Sequence, residues 1–412
     1  MAKDGSQDKG EFERKLEAVL TVQLPGCVSL LSAERLSGGA SQETYRLVIE
    51  DDGCESGERV LAMRRGAGGV HANKSELGYP GLSTEALLMQ SARAAGVPGE
   101  RIVFSGVGKT HEEIRTALTG GIRQFNVESE PEMAVISEVA SALGVEAPIT
   151  IRVNPDVDAR THAKIATGKS ENKFGIPIAK ARQVYAEAAA LPGLRVVGVD
   201  VHIGSQLTDL DPYRAAYAKV ADLTRALRAD GHAITRLDLG GGLGIPYRRD
   251  NNAPPLPLEY GQVIRETVGD LGCEIEIEPG RNIVGNAGVL LSQVIWLKEG
   301  EGRDFLIVDA AMNDLLRPAM YGAHHDIVPV AQPGVAAEVR RVDVVGPVCE
   351  SADTFQKGVD LPTLGAGDLI VFRSAGAYGA VMASEYNSRP LVPEVLVSGD
   401  HFAVIRARPT FE

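Results

Sequence analysis

Arg236-Leu-Asp-Leu-Gly-Gly-Gly-Leu-Gly-Ile-Pro246 is an apolar run that passes straight into three consecutive glycines. Arg236 to Gly240 reads as a short strand. Glycines behind a strand let the backbone come close to a partner, either a phosphate whose oxygens take N–H bonds or simply the next turn of chain. Working outward, five more short runs read the same way: Arg101-Ile-Val-Phe-Ser105, Phe125-Asn-Val-Glu-Ser129, Thr150-Ile-Arg-Val-Asn154, Val196-Val-Gly-Val-Asp-Val-His202 and Glu274-Ile-Glu-Ile-Glu278. Amphipathic stretches such as Glu130 to Leu143 and Leu210 to Asp230 lie between them. Strand-then-helix repetition predicts a parallel sheet covered by helices.

About six such units are present where a closed barrel has eight. The expected class is therefore α/β, with an incomplete TIM-like (β/α) barrel over residues 99–284. After Gly285 the helices stop. Val289 to Leu297, Phe305 to Val308, Glu338 to Val345, Asp368 to Phe372, Glu394 to Val397 and Phe402 to Arg406 read as strands, which predicts a C-terminal β domain over 285–412. Residues 1–98 form a third, small α+β segment. It has a helix over Glu11 to Leu20, a strand, glycine turn and strand around Leu36 to Glu50, and a third strand over Arg59 to Arg65. A glycine-rich loop over Gly66 to Gly81 precedes a helix from Leu82 to Arg93, with Ser83 or Thr84 as its cap.

Composition narrows the function. The chain has 412 residues, 44% apolar and 24% charged, with a net charge of −13. That acidity argues against a nucleic-acid partner, which needs a basic face. No run of about 18 apolar residues suggests a membrane span. The polar start Met1 to Lys15 lacks the apolar centre of a secretory signal, so a cytoplasmic location is expected. Cys27, Cys54, Cys273 and Cys349 form no CxxC pair and read as free thiols, with no metal site implied.

Several strand ends carry chemistry. In a parallel barrel these ends face the active site. His202, in His202-Ile-Gly-Ser-Gln206, suits stacking on a flat ring, proton transfer or a purely structural hydrogen bond. Glu278, in Glu278-Pro-Gly-Arg281, suits either a protonated ring nitrogen or a salt bridge to Arg281 within its own turn. Gly346-Pro-Val-Cys-Glu350 places a thiol beside a carboxylate, a proton donor or an inert buried cysteine. Arg317, in Leu315-Leu-Arg-Pro-Ala-Met-Tyr321, is a carboxylate clamp or a solvated surface arginine. Glycines around Tyr378 expose its ring and hydroxyl.

Taken together and in this order, these motifs make residues 99–412 resemble the diaminopimelate decarboxylases, of the alanine-racemase-like pyridoxal 5'-phosphate (PLP) enzymes. Ile102-Val-Phe-Ser-Gly-Val-Gly-Lys-Thr110, Phe125-Asn-Val-Glu-Ser-Glu130 and Ile307-Val-Asp-Ala-Ala-Met-Asn-Asp314 look like the same family. The resemblance implies a barrel and a β domain working as a homodimer, with an amino-acid substrate and conversion of meso-2,6-diaminopimelate to L-lysine. It implies that His202 stacks on the PLP ring, that Ser205, Gly240, Gly241 and Gly242, helped by Tyr378, hold the phosphate, and that Gly280 and Arg281 also bind the cofactor. Glu278 would pair with the ring nitrogen. Arg281, Arg317 and Tyr321 would bind substrate carboxylate, and Tyr378 would also bind substrate. Cys349 and Glu350 would reach into the partner's site, the thiol as proton donor and the carboxylate reading the distal end of the substrate.

The front of the chain departs from this pattern. In the family the lysine that forms an imine with PLP sits on the first barrel strand, in a string like Tyr-Ala-Val-Lys-Ala-Asn. The nearest string here, Gly69-Val-His-Ala-Asn73, places His71 at that point, and Lys74 is the substitute candidate. Residues 33–98 resemble instead the N-lobe of aminoglycoside phosphotransferase-like kinases: Leu36 to Tyr45 as the glycine-rich loop, Arg64 as the phosphate-contacting base and Glu85 as its partner. The catalytic loop and metal-binding residues that a kinase needs are not found after residue 98. The alternatives to a decarboxylase are thus an inactive PLP-binding relic or a phosphotransferase.

Overall fold

The computed structural model describes residues 10–23, 27–36, 42–52, 57–66, 84–159, 173–248, 253–331 and 338–410. The chain divides into two compact units, residues 1–75 with 384–412, and residues 76–383.

In the first unit a helix, α1 (Glu11–Gln23), is followed by β1 (Cys27–Leu36), β2 (Gln42–Asp51) and β3 (Glu58–Gly66), an antiparallel sheet in sequential order. Phe12, Leu16 and Leu20 of α1 pack on buried Leu30, Leu47 and Ile49, and Glu17 accepts the Leu30 N–H at 2.9 Å. The strands on either side of the expected glycine turn, and the third strand, are therefore present. The glycine turn itself, the side chains of Arg64 and Glu85, His71, Lys74 and the cap at Ser83 lie outside the described residues.

The second unit begins with α2 (Thr84–Ala94). It then alternates β4 (Val103–Phe104), α3 (His111–Thr119), β5 (Gln124–Val127), α4 (Glu130–Leu143), β6 (Ala147–Asn154), β7 (Ile176–Pro177), α5 (Ala181–Ala190), β8 (Leu194–Asp200), α6 (Asp211–Ala229), β9 (Arg236–Asp238), α7 (Pro257–Val268) and β10 (Glu274–Glu276). The main sheet runs in the order β10-β9-β8-β6-β5-β4, every pair parallel, with β7 attached to β6. Its central strands β5 and β6 are buried on both faces, as their runs of buried residues show. Local sequence marks the helix limits. Ser129 caps α4, Pro131 opens it, and Gly144 closes it at φ +67°. Thr110 and Glu113 form a capping box on α3.

Six parallel strands are the incomplete barrel that the sequence implies. Strands β4 and β10 are its edges, and side chains bridge the seam between them. Ser105, after β4, donates to Glu278, after β10, at 2.9 Å. Arg123 pairs with Glu276 and with Glu274, while Gln124 donates to Glu276 at 2.8 Å. A cavity of about 670 Å³ lies along the seam, lined by Met89, Phe104, Arg123, Asp238, Ile277 and Glu278 among others.

Several strands are shorter than the sequence suggests. Arg101 belongs to a one-turn 3-10 segment, and the β8, β9 and β10 strands end at Asp200, Asp238 and Glu276, two residues early. At β9 the cause is Gly240, whose φ of +65° turns the chain out of the sheet.

The short helix α8 (Arg281–Val284) leads into the β domain: β11 (Leu290–Lys298), β12 (Asp304–Val308), helix α9 (Arg317–Tyr321), β13 (Ile327–Pro329), β14 (Val339–Val345), β15 (Thr354–Pro362) and β16 (Leu369–Phe372). Their order is β13-β16-β11-β12-β14-β15, antiparallel except for β12 with β14. Val294, Val308, Val344, Phe355, Ile370 and Phe372 form its core. Strands β13 and β15 were not foreseen. The hairpin β17 (Glu394–Ser398) and β18 (His401–Arg406) returns the chain to the first unit. Among the described residues no helix is long and apolar enough to cross a membrane.

Candidate active site

The glycine loop after β9 and the turn after β10 meet at the C-terminal ends of the parallel strands, where a barrel carries its chemistry. Contact between the two is backbone to backbone. The Glu278 N–H donates to the Gly240 carbonyl at 2.7 Å. A Cβ on Gly241 would fall 2.1 Å from the Glu278 carbonyl oxygen, and one on Gly242 equally close to that of Gly204. Only glycine fits. Two of the loop's N–H groups are used inside the protein: Gly240 donates to Asp238 Oδ1 at 3.0 Å and Gly241 to His202 Nδ1 at 3.1 Å. From the helical side Tyr213 donates to the Gly241 carbonyl and Tyr217 to that of Leu239, each at 3.0 Å.

His202 is therefore fixed as a tautomer. Its Nδ1 accepts, so any ring proton sits on Nε2. Burial, with the Arg152 charge behind it, pushes the imidazole down to about 4, so the ring is neutral and flat at physiological pH. Arg152 itself is held by Glu128 at 2.7 Å.

The second feature is a pair of buried guanidiniums. Arg281 is 7% exposed and Arg317 5%. Arg281 donates to Ser205 Oγ at 3.0 Å and to the Tyr247 hydroxyl, and lies 4.6 Å over the Tyr378 ring. Arg317 lies 4.5 Å over the Tyr247 ring and bonds His325 Nε2 at 2.8 Å. Among the described residues neither arginine pairs with a carboxylate, and Arg281 Nε is buried without a partner. Two buried cations around one tyrosine form a site for anions, because uncompensated buried charge is costly. Beside them a Cβ on Gly280 would meet no atom within 4 Å. The arginine-to-Glu278 bridge that the turn offered is not formed.

Tyr321 is half-buried at the end of the helix that begins with Arg317. Cys349 and Glu350 stand apart from this web. Both are exposed, on a turn folded around buried Asp353, whose carboxylate accepts from Val348 and Met312 at 2.7 Å. The thiol is thus neither buried nor bonded to the His202 and Arg281 groups. Lys109 is sequestered: its ammonium donates to the carbonyls of Gly106 and Asn126 and to Glu132, all within 2.8 Å. Sequence reasoning gave no role to Tyr247, His325, Asn126 and Asp353, which become visible only through their partners.

This architecture, a parallel barrel whose strand ends carry a neutral histidine, a glycine loop and buried arginines, defines a class. Residues 85–285 match the family model described as pyridoxal-dependent decarboxylase, pyridoxal binding domain. The chain is 47% identical over 364 residues to the diaminopimelate decarboxylase of Zymomonas mobilis, covering 88% of this chain and 86% of that one. It is 51% identical to that of Pseudomonas aeruginosa, covering 79% and 77%. Diaminopimelate decarboxylase from Helicobacter pylori complexed with L-lysine superposes with a TM-score of 0.74 at 42% identity, covering 80% and 84%. The chain belongs to the diaminopimelate decarboxylase family.

Proposed function

We propose that this chain catalyses the PLP-dependent decarboxylation of meso-2,6-diaminopimelate to L-lysine. The observation that carries the reading is the pair Arg281 and Arg317, buried and without a carboxylate partner among the described residues. A cofactor phosphate and a substrate carboxylate are the two anions this requires.

The residues present fit PLP. Arg281, Ser205, Gly280 and the Gly242 N–H would hold the phosphate, with Tyr378 over Arg281. Gly240 and Gly241 would shape the cradle, their own N–H groups being committed inward. The flat, neutral His202 would lie against the ring, and Glu278 would keep a proton on the ring nitrogen. When bound, PLP supplies a sink for the electron pair left behind as carbon dioxide departs. Arg317 would orient the substrate carboxylate as a two-pronged donor, with Tyr321 beside it. In a homodimer, the exposed Cys349 would deliver a proton to the carbon that has lost carbon dioxide, and Glu350 would bind the distal ammonium of the substrate. Lys109 already makes three bonds, so the link to the cofactor would fall on another lysine.

Incubation with PLP and diaminopimelate, with carbon dioxide and lysine both measured, tests the reading. Equal release of the two supports it. Folded, PLP-loaded protein that produces neither overturns it.

A further inference from the structure

Asn126, on β5, is fully buried, and its amide uses all four of its hydrogen-bonding capacities. Its Nδ2 donates to Ser105 Oγ at 2.9 Å and to Asp238 Oδ2 at 2.8 Å. Its Oδ1 accepts from Thr150 Oγ1 at 2.7 Å and from Gln124 Nε2 at 3.1 Å. Turning the amide over would set its oxygen against the Asp238 carboxylate, so only one orientation is stable. Each of the two acceptors of Nδ2 carries the effect onward. Ser105 spends its single O–H on Glu278 at 2.9 Å. Asp238 uses its other oxygen to accept the Gly240 N–H at 3.0 Å.

We propose that Asn126 is a positioning residue that sets Glu278 through Ser105 and the glycine loop through Asp238, so that one buried amide aligns both ends of the cofactor. The inference rests on the function proposed above, in which Glu278 and the loop hold opposite ends of PLP. The surroundings make the alignment necessary. Asp238 faces Asp200, Arg152, Glu276 and Glu278, and its charge also reaches Tyr217 and Tyr260. Burial and the Glu278 charge raise its carboxyl to about 6, and the Asn126 bond is the first influence pulling the other way. Without the amide, Asp238 loses a donor that offsets its neighbours' charge, and the Ser105 hydroxyl that serves Glu278 loses the bond that orients it.

The test uses the full chain in native form and as Ser105→Ala and Asn126→Ala. On unliganded protein, carbon-13 NMR follows the Asp238 carboxyl through a pH titration. Loss of the amide donor should raise its midpoint by at least about half a unit in Asn126→Ala and leave it in place in Ser105→Ala. On protein loaded with PLP labelled with nitrogen-15 in the ring, Ser105→Ala should move the ring-nitrogen resonance and lower the pH at which that nitrogen loses its proton. Its PLP Kd should stay within about threefold of native, whereas Asn126→Ala should move the resonance and weaken PLP by about tenfold or more. A purely structural asparagine would lower Tm in Asn126→Ala and leave the nitrogen resonance of Ser105→Ala where it was. That result, or an unmoved Asp238 titration, overturns the proposal. If native protein takes up no PLP, the proposed function fails, while the Asp238 titration on unliganded chain still decides the role of Asn126. Ser105→Ala removes one hydroxyl from a half-buried site, so the test stands even if Asn126→Ala does not fold.

Discussion

Arg317 Nη1 lies 2.8 Å from His325 Nε2, on the far side of a ring whose Nδ1 meets the Arg373 carbonyl at 2.9 Å. A carbonyl only accepts, so Nδ1 carries the proton and Nε2 takes the bond from the guanidinium. A neutral imidazole thereby steadies a buried cation. Burial, then the Arg317 charge, push His325 down to about 3. In the unfolded chain a histidine titrates near ~6.5. Between those values the unfolded chain binds the extra proton, so folding loses stability as pH falls from about 6.5 toward 3. In thermal melts the stability advantage of native protein over His325→Gln should be full at pH 7 and shrink steadily toward pH 4. A constant advantage across that range would refute the assignment.

The two arginines should separate kinetically. Arg317→Ala should raise KM for diaminopimelate by roughly 10- to 100-fold, about 1.4 to 2.8 kcal/mol of binding, with PLP affinity unchanged. Arg281→Ala should weaken PLP itself, because Arg281 is tied to Ser205 and lies under Tyr378. Equal losses of PLP in both variants would show that the anion sites are not distinct.

Gly241→Ala meets a fixed obstacle. The new methyl would sit 2.1 Å from the carbonyl oxygen of Glu278, a residue whose N–H is already bonded to the Gly240 carbonyl. Overpacking of this kind costs on the order of 1–3 kcal/mol, and here the backbone must part to relieve it. Differential scanning calorimetry should show a lower Tm together with lost PLP binding. Native stability with lost binding would mean that the loop yields freely.

Exposure makes Cys349 a reporter of assembly. A maleimide should label it ahead of buried Cys27 in dilute protein. If two chains share their sites, labelling should slow as sedimentation shows dimer forming, and Cys349→Ser should lose turnover with PLP still bound. Labelling that is indifferent to concentration across the dimer transition would place the thiol away from the interface.

Much of the architecture was legible because its signals are local. Helix α4 occupies the stretch from Glu130 to Leu143 read from sequence, since Ser129, Pro131 and Gly144 mark both ends. Strand β15 escaped notice because Lys357, Gly358 and Asp360 interrupt its alternation. The structure accommodates Gly358 at φ +62° with its N–H on Asp343. The site was half legible. Glycines, His202, Glu278 and the arginines sit in strings with a recognisable chemistry. Asn126, Tyr247 and His325 do not, because a buried polar residue looks like a surface one until its partners, 112 positions away for Asn126 and Asp238, are brought to it.

The central claim is that this chain, with its altered front, still binds PLP covalently and productively. Adding PLP, reducing with borohydride and mapping the product by mass spectrometry tests it most directly. The account predicts a single modified lysine, with Lys109, Lys173 and Lys219 untouched. Folded protein that carries no specific lysine adduct would contradict it.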